Sequence, residues 1–146
     1  MSTLTPVSTG RRSPGPALSV TRLNVVRFGY LFMALGLTLT RWPRLLDATD
    51  RPLYEGVAVC MLVAMSLLAW LGLRHPLELL PILLFEAIWK LLWLGTVALP
   101  LAVAGDLDTA TWEVMLNCTL VVVVLVVIPW RHVWSTYVRA KGDRWR

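Results

Sequence analysis

Glu86 and Lys90 carry the strongest chemical signal in this sequence. They stand four residues apart in ELLPILLFEAIWKLLWLG, a stretch that is otherwise almost wholly apolar. On a helix the two would share a face, with the acid N-terminal to the base, the better order for an ion pair. Counted from Leu77, Glu86 lies about 13 Å and Lys90 about 20 Å along such a helix. A lone charge at the middle of a bilayer costs about 2.5–3.5 kcal/mol on insertion scales, and a partner on the same face lowers that cost. Two kinds of chemistry fit the pair. One is an ion or proton relay, or a site for a polar substrate. The other is a neutralised structural pair that pins helix packing or an oligomer interface. The choice of lysine is informative, because only two of the 14 basic residues are Lys. A buried Lys can lose its proton, whereas Arg effectively cannot. Asn117 lies near the expected level of Lys90, and Ser66 near that of Glu86, so both are candidate partners.

No other constellation competes. The two cysteines, Cys60 and Cys118, are 58 positions apart and resemble neither a zinc set nor a disulfide framework. Each lies in an apolar stretch, where cysteine acts as a small hydrophobe. His75 and His132 are expected at the membrane surface, without a third metal ligand nearby in sequence. No GxGxxG, phosphate-binding loop, HExxH or nucleophile elbow occurs. The expectation is no cofactor, no metal and no catalytic residue.

The elements that would position the pair follow from composition. Of the 146 residues, 57% are apolar and 16% charged, and the mean hydropathy is +0.65. Soluble domains average ~45–50% apolar and ~25% charged. The combination excludes both an ordinary soluble domain and a disordered chain. Residues 1–22 are rich in Ser, Thr, Pro and Gly and read as a disordered tail. Arg11 and Arg12 are followed by Ser, Pro and Gly, which predicts no cleavable signal peptide. Apolar segments follow at about 23–42, 54–73, 77–104 and 109–130. Crossing ~30 Å of hydrocarbon takes ~20 helical residues. Four segments cannot close a barrel, and a lone apolar strand in lipid would leave its backbone unsatisfied. Short links force sequential helices to run antiparallel. The predicted fold is therefore all-α: an up-down-up-down four-helix membrane bundle spanning 23–130. Gly56, Cys60 and Ala64 form a small face on the second segment, as do Gly29, Gly36 and Thr40 on the first.

Orientation follows from the basic residues. The N-tail, second loop and C-tail side holds ten of them, against three (Arg41, Arg44, Arg51) on the other side. The positive-inside rule places both termini in the cytoplasm. Arg27 and Arg41 are expected to reach towards headgroups. Trp42 and Trp112 mark one interface, and Trp70, Trp130 and Trp134 the other. Trp89 and Trp93 fit that belt poorly. Residues 131–146 form a basic amphipathic tail, with Pro129 kinking the approach to it. Its expected partner is a surface of anionic headgroups. Split between two tails, the basic residues form no nucleic-acid module.

RFGYLFMALGL resembles the first helix of DoxX-like small four-helix membrane proteins. RHPLELLPILLFEAIWKLLWL, with VIPWRHVW, is more similar to uncharacterised four-helix proteins of bacterial inner membranes. The DoxX-like resemblance implies a redox-linked accessory role, but Glu86 and Lys90 depart from it and no residue is carried over. The leading expectation is a multi-pass inner-membrane protein acting as a structural or accessory subunit, associating with itself or with another membrane protein. The alternative is a small oligomeric transporter or ion-coupled channel built on Glu86 and Lys90. A redox-linked membrane protein comes third.

Overall fold

A computed structural model describes residues 19–140. The tail expected at 1–22 therefore falls largely outside the described residues, as does the end of the basic tail. Among the described residues the chain is helical and contains no strand. Helix α1 spans Val20–Leu46 and α2 spans Leu53–Gly72. The third column starts as α3, Leu80–Trp93, passes through a π-helical turn at Leu94–Ala98, and ends as α4, Leu99–Ala104. The fourth comprises α5, Thr109–Thr119, and α6, Val121–Val127. A short α7, Trp130–Val133, follows. Among the described residues, four helical columns are long and apolar enough to cross a membrane, with 18-residue mean hydropathies of 1.4 to 2.1. This is the architecture of a multi-pass membrane protein.

The column ends follow local chemistry. Ser19 caps α1 by accepting from Arg22 N, and α1 continues past Pro43 to Leu46. Pro43 breaks only a bond of the last turns, so the helix continues beyond Trp42. The third column starts at Leu80 instead of Leu77, because Pro81 fits the first turn of a helix, where its missing N–H costs nothing. Pro100 cannot donate to the Thr96 carbonyl, and the π turn absorbs that mismatch. At the far end Gly105 adopts φ +76°, the left-handed cap that glycine tolerates best. Ile128 is extended because Pro129 follows it, and this ends the fourth column before Trp130.

Asp108 caps α5 by accepting from Thr111 N at 2.8 Å. Hydrogen bonds from Thr111 hold its carboxyl below the ordinary carboxylate range. A lowered folded value means the cap stabilises above the unfolded value and is lost as pH falls through the folded one. Backbone amide exchange at Thr111 should therefore rise in Asp108→Ala. In the wild type it should rise, relative to the helix interior, only on acidification below that range.

The core occupies one half of the bundle, where α1 and α3 begin and α6 ends. Val26, Tyr30, Met33 and Ala34 of α1 pack there against Met65 and Ala69 of α2. Leu80, Leu83 and Ala87 of α3 and Val121, Val124 and Val127 of α6 complete it. Long-range hydrogen bonds stitch the same end. Tyr30 donates to the Pro76 carbonyl at 3.1 Å, and Arg27 Nε to the Leu73 carbonyl at 3.2 Å, capping the end of α2. Arg22 donates to the Ile128 carbonyl at 3.3 Å, where the kink frees an acceptor. The other half is sparse: α4 buries no residue and α5 buries only Cys118.

The small faces divide. Gly29 lies against Val127, close enough that an added methyl would clash. Gly36 and Thr40 are exposed on α1 and line an open cavity described below, whereas Cys60 and Ala64 are exposed on α2 and line none of it. The face α2 presents inward is instead Val59, Val63, Ser66, Ala69 and Gly72.

Candidate intramembrane site

Helix α3 carries Glu86 and Lys90 on its buried face, 2% and 9% exposed. The Lys90 ammonium lies 2.8 Å from Glu86 Oε1. Trp89 Nε1 donates to the second carboxylate oxygen, Oε2, at 2.7 Å. Glu86 is thus held on both oxygens by neighbours one turn away on its own helix. Trp89 also places its ring 5.8 Å from Lys90 Nζ, at the outer limit of a cation–π contact. Like Trp93, this indole has no place in the interfacial belt that the sequence predicts. Its signal was the i,i+3 spacing from Glu86 together with its poor fit to the interfacial belt.

A cavity of about 560 Å³ adjoins the pair and is open on one side. Helix α1 contributes Phe32, Gly36 and Thr40, α3 contributes Glu86 and Lys90, and α5 contributes Asn117. Asn117 and the ion pair therefore share one cavity. Leu120, also on its wall, marks the break between α5 and α6. No proline or glycine causes this break. Thr119 turns its hydroxyl back onto the Met115 carbonyl at 2.8 Å, a bond that bends helices. The backbone then shifts to i→i+3 bonds, Leu120 N to Asn117 O and Val123 N to Leu120 O.

Ser66 is placed elsewhere. It is fully buried on α2, donates to the Val63 carbonyl at 2.7 Å and accepts from Trp42 Nε1 at 2.9 Å. Trp42 thereby ties the end of α1 to α2. Trp70 does the same lower down, donating to Thr38 Oγ1 at 3.2 Å. Trp130 Nε1 donates to the Leu125 carbonyl at 2.9 Å, while Trp112 and Trp134 are exposed. Trp42 and Trp70, expected as anchors, are thus engaged in bonds between α1 and α2.

Arg41 is half-buried, and its Nε finds no acceptor among the described residues. It lies within electrostatic reach of Arg44 first, and also of Cys118, Glu86 and Glu55. Cys118 is buried, Cys60 is exposed, and both are free thiols. No group of three or more His, Cys, Asp or Glu comes together among the described residues.

A second concavity, about 1120 Å³, lies between the start of α1 and the segment after Pro129. Arg22, Arg131 and Arg139 line it together with Trp130 and Trp134.

The chain matches no family model, and no curated protein or solved structure matches it either.

Proposed function

We propose that this chain is a structural or accessory subunit of a bacterial inner membrane, with four antiparallel spans and both termini in the cytoplasm. The observation that carries the reading is the internal closure of the ion pair. Both Glu86 oxygens are occupied by Lys90 and Trp89, groups of the same helix. A carboxylate held in this way serves to fix the face of α3 more readily than to pass protons. The antiparallel order is supported by the α1–α2 bonds, since position 38 meets 70 and position 42 meets 66. The ten-to-three distribution of basic residues in the sequence supports the orientation.

Association is supported by the sparse half of the bundle. Val103 on α4 and Leu116 on α5 are 82% and 52% exposed. These faces leave room for a second copy or another membrane protein, with lipid covering the remainder. The arginine-lined concavity near Trp130 suits anionic headgroups at the cytoplasmic surface. The test is purification in mild detergent with measurement of the mass of the complex. The reading expects a defined homo-oligomer or a stoichiometric membrane partner. A monodisperse monomer, with nothing bound in native-lipid particles, contradicts it.

The cavity beside Lys90 favours one second reading, an oligomeric transporter or ion-coupled channel. Solute or proton flux in liposomes that Glu86→Gln abolishes would establish it. The accessory reading expects no flux in either protein.

A further inference from the structure

The cavity walls are mostly apolar, so their few polar groups decide what fits. Glu86 has no oxygen left without a partner, as described above. Thr40 spends its hydroxyl proton on the Gly36 carbonyl at 2.7 Å. Lys90 has three N–H groups and gives one to Glu86, leaving two. Asn117, an exposed residue, lines the same space and offers its amide donors and oxygen there. The unused capacity is therefore chiefly donors, at a depth where unsatisfied polar groups cost several kcal/mol each.

Charge points the same way. Lys90 and Arg41 bring two positive charges to this region, and Glu86 brings one negative. Arg41 is not on the cavity wall; it stands one turn beyond the lining residue Leu37, half-buried and with an unpartnered Nε, and Arg44 and Glu55 near it offset each other. The local surplus is one positive charge. An occupant that completes the site carries one negative charge and oxygen acceptors. The rest of it must suit Phe32, Leu37, Leu116 and Val124. The volume lies in the ~300–1,000 Å³ range of pockets that enclose a small ligand. Its exposed lining residues, Gly36, Thr40, Leu116, Asn117 and Leu120, belong to the first and fourth spans, so a ligand would enter it from within the bilayer.

We propose that this cavity binds one monoanionic amphiphile from the membrane, its oxygen-bearing head on Lys90 and Asn117 and its chain along α1 and α5. This goes beyond the accessory-subunit reading and stands without it, because it requires neither a partner protein nor flux.

Gly36 provides a selective test. A Cβ added there meets nothing within 4 Å, so the position accepts a side chain, and Gly36 lines the cavity that a larger one would share. Native mass spectrometry of the purified protein in neutral detergent would follow binding of oleate, methyl oleate and phosphatidylglycerol. The wild type should take up one oleate. Methyl oleate should bind roughly tenfold or more weakly, the scale of a lost charge-assisted hydrogen bond. Gly36→Leu should abolish binding while unfolding at the wild-type temperature, and Asn117→Leu should weaken it. Phosphatidylglycerol competing at the same site, also blocked by Gly36→Leu, supports the proposal and identifies a phospholipid as the source of the anion. Equal binding of acid and ester, or binding that survives Gly36→Leu, overturns it. So does a copurifying membrane protein that Gly36→Leu releases from a chain that takes up no amphiphile.

Discussion

Replacing Lys90 alone with Leu should destabilise the protein by about 3–5 kcal/mol, more than replacing Glu86 and Lys90 together. The single change leaves a carboxylate that is 2% exposed without its cation. Trp89 still donates to Oε2, but one neutral indole N–H does not replace an ammonium at 2.8 Å. Changing both residues to Leu removes the charges together and leaves only the Trp89 N–H without an acceptor, a loss of about 1–3 kcal/mol. Combining Glu86→Gln with Lys90→Leu keeps an acceptor for Trp89 and should be the mildest of the three. Reversible unfolding in mixed micelles, followed by tryptophan fluorescence, would rank the variants. A double variant less stable than Lys90→Leu would show that the pair is not simply two charges neutralising each other.

The second large effect is expected where α1 meets the end of α2. Tyr30 is fully buried, and its ring lies directly over Gly72. A methyl group at Gly72 would enter the space of that ring, and the ring cannot retreat because its hydroxyl is tied to the Pro76 carbonyl. Gly72→Ala should therefore cost about 1–3 kcal/mol, the usual range for overpacking. Tyr30→Ala should cost about 3–5 kcal/mol, since it empties the largest buried side chain of the core. Tyr30→Phe keeps the ring and should lose only about 0.5–1.5 kcal/mol, the net worth of one hydrogen bond. Adding Tyr30→Leu to Gly72→Ala should recover part of the Gly72→Ala loss, because a smaller side chain leaves room for the methyl. The same unfolding experiment reads all four. Additive losses in the double variant would mean that the two residues do not oppose each other as the packing indicates.

The spans were legible because bilayer thickness forces long apolar runs, and these need no knowledge of tertiary contacts. The Glu86–Lys90 pair was legible for a similar reason. It lies within one helix, and its i,i+4 spacing makes the partners neighbours whatever else the chain does. Depth counting brings Asn117 near Lys90, and the two line one cavity with no bond between them. Depth was not sufficient for Ser66, because it says nothing of which way a side chain points around the helix. Ser66 faces Trp42 on α1 and accepts its indole N–H. Arg27, Tyr30 and Arg22 each bond a carbonyl freed by a distant turn, and nothing local in the sequence announces such bonds. The break at Leu120 was hidden because its cause is a threonine hydroxyl and a run of β-branched valines, with no proline or glycine to mark it.

Most directly, the central claim of four spans around a buried pair is tested by cysteine labelling in intact cells, with Cys60 and Cys118 replaced by Ala. A membrane-impermeant maleimide should label Thr49→Cys and Asp106→Cys without permeabilisation. It should reach Arg74→Cys and Ala140→Cys only once the membrane is opened. A cysteine at Lys90, introduced together with Glu86→Gln, should react in neither condition. Labelling of Ala140→Cys in intact cells, or of position 90 in either condition, would contradict the account.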